Sequence, residues 1–212
     1  MSILILDYGL GNIKSITSAL KQFEDNIVLG SGKSELYSAD ALILPGVGAF
    51  QQAMGEMKKN GLDQMVREFA ETKKPILGIC LGMQMLFSYS EEFGYCEGLD
   101  LIQGSVKKLD PKNTPKLPNI SWSKINPNKK FKNDSLLKGI HEKNLFYHIH
   151  SFYATPDNED HLLASTKYFD KSYCSVAKKG NIYGCQFHPE KSGVAGLKII
   201  SNFLEISKNT NE

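Results

Sequence analysis

The sequence predicts an α/β protein: an open, mostly parallel sheet flanked by helices, with some antiparallel strands in the C-terminal half. Three observations carry this. Ile3–Leu6, Ala41–Leu44 and Ile76–Ile79 are short apolar runs, each stopped by turn residues. Stretches with apolar residues at helical spacing follow them. From about residue 100 the texture changes to shorter β-like segments separated by Asn, Pro and Lys. Runs that are apolar at every position suit strands buried on both faces, as in parallel sheets. Strand, turn and helix in succession, three times over, is the pattern of a parallel α/β sheet.

In order along the chain, Asp7-Tyr8-Gly9-Leu10-Gly11-Asn12 ends the first run, and 13–24 fits a helix with Ile13, Ile16, Ala19, Leu20 and Phe23 on one face. Pro45-Gly46-Val47-Gly48 stops the second run. A helical stretch to about residue 72 then carries Met54, Met57, Leu62, Met65, Val66 and Phe69. Pro75 opens the third run, and 82–90 is expected to be helical. Segments 105–109, 146–150, 173–177 and 183–187 read as strands, 112–132 as loop, and 193–206 as a closing amphipathic helix. Neither a repeat nor a linker interrupts the 212 residues, so a single domain over 1–212 is expected.

Composition narrows the function classes. Hydrophobic content of 41% and charged content of 23% are ordinary for a globular protein. With 25 basic and 23 acidic residues the net charge is +2, which leaves no footprint for nucleic acid or a membrane surface. Asp7 ends the first apolar run too soon for a signal peptide, and no run reaches transmembrane length. Cys80, Cys96, Cys174 and Cys185 lie far apart without metal-ligand spacing, so they are expected to be reduced thiols of a cytoplasmic protein that needs no metal.

Cys80 stands between two glycines in Gly78-Ile79-Cys80-Leu81-Gly82. A nucleophile on a strand-to-helix turn must project clear of the sheet. Small residues two before and two after let strand and helix pass. The dipole and free N–H groups of the following helix favour thiolate and can hold an oxyanion. A buried, inert cysteine at a tight turn would read the same locally. Of the five histidines only His188 follows an apolar strand and sits beside an acid, in Phe187-His188-Pro189-Glu190. In an extended segment residues two apart point the same way, so Glu190 can orient His188 while the other ring nitrogen faces Cys80. Gly46 and Gly48 give the 45–48 turn freedom to aim an N–H at the oxyanion position; a plain connecting loop is the alternative.

Taken with Gln186-Phe187-His188-Pro189-Glu190-Lys191-Ser192-Gly193, Pro45-Gly46-Val47-Gly48-Ala49-Phe50 and Gly78-Ile79-Cys80-Leu81-Gly82-Met83-Gln84, the chain resembles the class I, triad-type glutamine amidotransferases. Within them it is similar to the glutaminase subunits of imidazole glycerol phosphate synthase, which Asp7-Tyr8-Gly9-Leu10-Gly11-Asn12 also match. The resemblance covers nearly the whole chain. It implies that Cys80 attacks the amide of L-glutamine, His188 serves as base and Glu190 orients it. Backbone N–H groups of Leu81 and of the Gly46-Val47-Gly48 turn are implied as oxyanion donors, and Gln84 as a substrate contact. It further implies no cofactor, and a (β/α)8-barrel cyclase partner that receives the ammonia and makes imidazole glycerol phosphate and an aminoimidazole carboxamide ribotide in histidine biosynthesis. Asn12, Trp122, Tyr147 and Lys191 match positions facing that partner.

Two segments depart from the family's usual pattern. Pro118-Asn119-Ile120-Ser121-Trp122-Ser123 stands for Pro-His-Met-Gly-Trp-Asn, and Tyr147-His148-Ile149-His150-Ser151 for Tyr-Phe-Val-His-Ser. Related subunits feed a sugar-modifying synthase in surface-glycan biosynthesis, and the triad would be the same in both. A lone γ-glutamyl or peptide hydrolase and a non-catalytic binding module are the readings from other classes. His150 is expected either at the partner or glutamine contact or as a strand-end structural residue.

Overall fold

The computed structural model describes residues 1–210 apart from 111, 113–115 and 132. Its elements, in order, are β1 (Ile3–Leu6), α1 (Ile13–Leu20), β2 (Ile27–Gly30), α2 (Lys33–Ser38), β3 (Ala41–Leu44), α3 (Phe50–Lys59), α4 (Leu62–Glu71), β4 (Ile76–Ile79) and α5 (Leu81–Met85). There follow β5 (Phe87–Ser90), β6 (Cys96–Glu97), β7 (Ile102–Lys108), β8 (Asn119–Ser123), β9 (Asn126–Pro127), β10 (Phe146–His150) and β11 (Phe152–Pro156). The chain continues with β12 (Leu162–Tyr168), β13 (Lys171–Lys179), β14 (Ile182–Cys185) and α6 (Gly193–Thr210).

The main sheet has the order β2-β1-β3-β4-β14-β13-β12-β9. From β2 to β14 the neighbours run parallel; from β14 outward they run antiparallel. The apolar runs are central strands with every residue buried, as their lack of alternation requires. Their period of two divides the core. Leu4, Leu6, Leu42 and Leu44 pack with Leu36, Met54 and Phe69 on one face. Ile3, Ile5, Ile43 and Leu77 pack with Ile16, Leu20, Ile199 and Phe203 on the other.

Several expectations are corrected. The stretch expected to be helical to about residue 72 is two helices, parted at Gly61, whose left-handed φ of 67° ends any α-helical run. Of 82–90 only the first turn is helical. Phe87–Ser90 is a strand, because pairing with β6 and β7 offers its backbone ladder bonds and buries Phe87. The first helix stops at Leu20, while the last runs on to Thr210. The expected loop 112–132 contains β8 and β9, with 113–115 and 132 outside the described residues. Elements β2, α2, β5, β6, β11 and β12 have no distinct signal of their own in the sequence.

What positions the site is one pairing. β14 lies parallel to β4 with Gly184 beside Gly78 and Cys185 beside Ile79. The chain therefore leaves both strands at the same edge, with Cys80 and Gln186 one step beyond the last pair. The glycines make this edge possible. A Cβ on Gly82 would lie 1.8 Å from the Leu44 carbonyl oxygen, and one on Gly78 2.7 Å from the Gly82 oxygen. Both clashes are with backbone, so they cannot be relieved by a rotamer change. Gly55, in α3, meets nothing within 4 Å. Gly82→Ala is therefore expected to destabilise the protein by about 3 kcal/mol, lowering Tm by roughly 6–12 °C for a chain of this size. Gly55→Ala should raise stability by about 0.5–1 kcal/mol. Urea denaturation of the two variants, which should move in opposite directions, checks the steric argument.

Candidate active site

Cys80 occupies the single residue between β4 and α5, with φ 54° and ψ −109°. A non-glycine residue at positive φ is strained by about 1–3 kcal/mol unless the surroundings hold it. Here its N–H donates to the Cys185 carbonyl at 2.7 Å, tying the turn to β14. The 45–48 turn presses on the other side: a Cβ on Gly46 would lie 2.6 Å from the Gly82 nitrogen and 2.8 Å from the Leu81 Cβ. Tyr8 secures that turn, its hydroxyl donating to the Pro45 carbonyl at 2.7 Å. The expected helix after the nucleophile is real but only five residues long, so its dipole is small.

His188 lies just beyond β14, after Gln186 and Phe187, and is 2% exposed. Its N–H donates to the Tyr147 carbonyl of β10 at 2.9 Å, and its own carbonyl accepts from the Ser192 hydroxyl at 2.6 Å. The ring Nδ1 lies 2.8 Å from Glu190 Oε1. The expected extended geometry between them is not found. Pro189–Lys191 is a 3-10 turn, and it folds the carboxylate back onto the imidazole. Beyond Glu190 the imidazole has the Cys80 thiol as its other ionisable neighbour, and the two line one cavity. Burial lowers the affinity of the ring for a proton, but the neighbouring Cys80 and the hydrogen-bonded Glu190 carboxylate outweigh it and push His188 up to about 10. Cys80 thus joins His188 and Glu190, more than a hundred residues later in sequence, in one chain of contacts.

The sulfur opens onto a cavity of about 350 Å³. Val47, Gly48, Leu81, Gln84 and Lys191 line it. Gly48 takes φ 104°, a conformation open to glycine and disfavoured for other residues. Gly46 lies behind it with Asn12, in a small crevice that also touches His188 and Glu190. Trp122 and Tyr147 stand opposite each other on β8 and β10, with ring centroids 5.7 Å apart, on an outward face shared with Ile120 and Ile149. The cavity also contains Glu92, which no sequence motif singles out. Its carboxylate accepts from the Phe50 N–H at 2.7 Å, at the start of α3. Only its place in the fold distinguishes it from its neighbour Glu91.

The other two buried histidines sit in a polar cluster with Tyr173 and Asn119. His150 Nδ1 lies 2.8 Å from the Phe152 carbonyl and its Nε2 3.2 Å from the Tyr173 hydroxyl, which also meets His148 and Asn119. Burial holds His150 down to about 4, and His148 well below the usual histidine value, so both are neutral near pH 7. Cys174 and Cys185 lie in the core, where burial pushes both thiols up. A second cavity, about 760 Å³, opens beside Lys74 and Ile182 at the opposite ends of β4 and β14; among the described residues no cysteine, serine or histidine lines it.

The model of the glutamine amidotransferase class-I family matches residues 4–206 of this chain. The chain belongs to the class-I glutamine amidotransferase family. As an amidotransferase it is 43% identical over 211 residues to the imidazole glycerol phosphate synthase subunit HisH 1 of Legionella pneumophila (strain Paris), covering 97% of this chain and 99% of that relative. It is 41% identical over 201 residues to the HisH subunit of Bacillus anthracis (strain CDC 684 / NRRL 3495), covering 95% and 93%. Among solved structures it is similar to a putative GMP synthase subunit from Thermoplasma acidophilum, with TM-score 0.73, 21% identity and coverage of 100% and 96%. PurLQS from Thermotoga maritima gives TM-score 0.74, 16% identity and coverage of 97% and 98%. At these identities the solved structures speak to the amidotransferase fold.

The imidazole also has a measurable signature. The His188 value in the fold lies above its unfolded value of 6.5, so the charged ring contributes stability that is complete below about pH 6.5 and is lost as pH rises through about 10. Removing the Glu190 charge withdraws part of the cause. Glu190→Gln is expected to lower the His188 titration midpoint, seen by 15N NMR of the ring, and to flatten the fall of the urea midpoint between about pH 7 and pH 10. An unchanged titration would remove Glu190 as the orienting group.

Proposed function

We propose that this chain is the glutaminase subunit of an imidazole glycerol phosphate synthase, working as one amidotransferase domain over its whole length in the cytoplasm. The observation that carries the chemistry is the Cys80–His188–Glu190 contact chain opening onto a cavity. The family and the names of the two relatives support the pathway, and they do not favour the surface-glycan alternative.

With the proton of the pair held on His188, the Cys80 sulfur attacks the side-chain amide carbon of L-glutamine as a thiolate. The charge that develops on the amide oxygen falls to the Leu81 N–H and to an N–H of the Gly46-Val47-Gly48 turn; Leu81, Val47 and Gly48 line the cavity with Cys80. His188 protonates the leaving ammonia, and water then releases glutamate from the thioester. Gln84 borders the bound amino acid from the cavity wall, and the Glu92 carboxylate is placed to receive its α-ammonium group. His150 is read as structural, since its ring is already committed to Phe152 and Tyr173.

The ammonia acceptor is a (β/α)8-barrel cyclase subunit, seated on the outward face that carries Trp122 and Tyr147, with Lys191 at the cavity rim and Asn12 behind the 45–48 turn. Exposed Trp122, set near half-buried Tyr147 and beside exposed Ile120 and Ile149, is the kind of apolar surface that marks a protein interface. The glycine conformation at Gly48 lets the 47–48 peptide rotate, so the turn can withhold its N–H until the barrel is loaded.

Two assays test this. Cys80→Ala should remove glutamate release from glutamine while the circular dichroism spectrum stays that of the parent chain; near-normal turnover would overturn the assignment of the nucleophile. Adding the barrel subunit with its ligand should stimulate the parent chain strongly, whereas full activity of the chain alone would mark a free hydrolase. Gly48→Ala should cut that stimulation by on the order of 100-fold, the usual worth of one oxyanion donor.

A further inference from the structure

The Cys80 sulfur has a second polar neighbour that the triad does not use. Gln186 is wholly buried, and its Nε2 lies 3.8 Å from Cys80 Sγ. The sheet puts it there: Cys185 pairs with Ile79, so the next residue on each strand is Gln186 on one side and Cys80 on the other. The remaining neighbour of the sulfur is the Ile149 carbonyl oxygen at 3.9 Å, an acceptor that suits a thiol and opposes a thiolate.

The orientation of the Gln186 amide is dictated by its surroundings. The Phe152 carbonyl can only accept, so the Gln84 amide must turn its nitrogen toward it, at 2.9 Å. The same Gln84 Nε2 then faces Gln186 at 3.1 Å and requires an oxygen there. That leaves the Gln186 nitrogen, a donor, for the sulfur. A flipped Gln186 would set two nitrogens against each other and an oxygen against the sulfur. Phe152, Gln84 and Gln186 are thus a directional relay that ends on the nucleophile.

We propose that Gln186 is a positioning residue for the reaction, donating from its carboxamide nitrogen to hold the Cys80 sulfur as a thiolate beside protonated His188. This rests on the reading of Cys80 as nucleophile. The donor matters because α5 is too short to supply much helix dipole, and because Ile149 works in the opposite sense. A hydrogen bond to a charged group stabilises that state, so losing it moves the protonation equilibrium of the sulfur toward the thiol.

The test uses Gln186→Leu and Gln186→Met, both without a donor and the second close to glutamine in length. Cys96, the partly exposed thiol, is replaced by serine in all samples. Iodoacetamide labelling of the Cys80 peptide is followed by mass from about pH 5 to pH 10, and glutamate release is measured with the barrel subunit present. The pH midpoint of Cys80 labelling is expected to rise by about one unit in either variant, a tenfold change in the equilibrium. kcat should fall about tenfold near pH 7 with KM within about twofold, and recover as pH is raised. An unchanged labelling midpoint overturns the proposal, whether KM rises, as it would if Gln186 only shaped the wall behind Gln84, or activity is untouched. If the Leu variant does not fold, the Met variant decides. Failure of the underlying reading looks different: Cys80→Ala would keep turning over glutamine whatever the labelling shows.

Discussion

The parallel pairing of β4 with β14 is the constraint on which the site depends. Neighbouring strands lie about 4.8 Å apart, so whatever leaves their ends together is held within side-chain reach. Ile79 beside Cys185 brings Cys80, Gln186 and then His188 to one edge of the sheet. Because side chains alternate along a strand, a slip of one residue would send every one of them to the other face. The small residues at 78, 82 and 184 are tolerances of this pairing: a Cβ on Gly184 would come within 2.5 Å of Met83, in the helix that follows the nucleophile.

Electrostatically the edge is asymmetric. Three histidines lie buried within it, and one is charged. His148 and His150 pack side by side, 5.6 Å between centroids, and share the Tyr173 hydroxyl instead of a carboxylate. Burial with no counter-charge keeps them neutral. His188 is buried too, but it has two acidic neighbours. The difference between a structural and a chemical imidazole here is what each ring faces. β10 links the two kinds: its inward residues are Phe146, His148 and His150, while its Tyr147 carbonyl receives the His188 N–H.

What is legible in the sequence follows the range of the interactions. The all-apolar runs announce β1, β3 and β4 because burial on both faces removes the alternation, and the glycines around Cys80 announce a crowded turn. The His188–Glu190 contact is legible as a pair of residues, though through the wrong backbone: a 3-10 turn rather than an extended strand makes it. Phe87–Ser90 reads locally as helix because its strand exists through residues 96–106, which no local pattern reveals. Glu92 and Gln186 are invisible as site residues for the same reason. One is defined by the start of a helix 42 residues away, the other by a strand register.

Cys80 sits at φ 54° because the turn leaves it no alternative. Glycine would occupy that dihedral without strain, and would relax a tight crossing of backbones. Judged by folding energy alone, then, position 80 is one where the native residue is the wrong choice. A redesign of this protein for thermal endurance, blind to chemistry, would replace the sulfur among its first substitutions, and would gain robustness by discarding the atom around which the edge of the sheet is arranged.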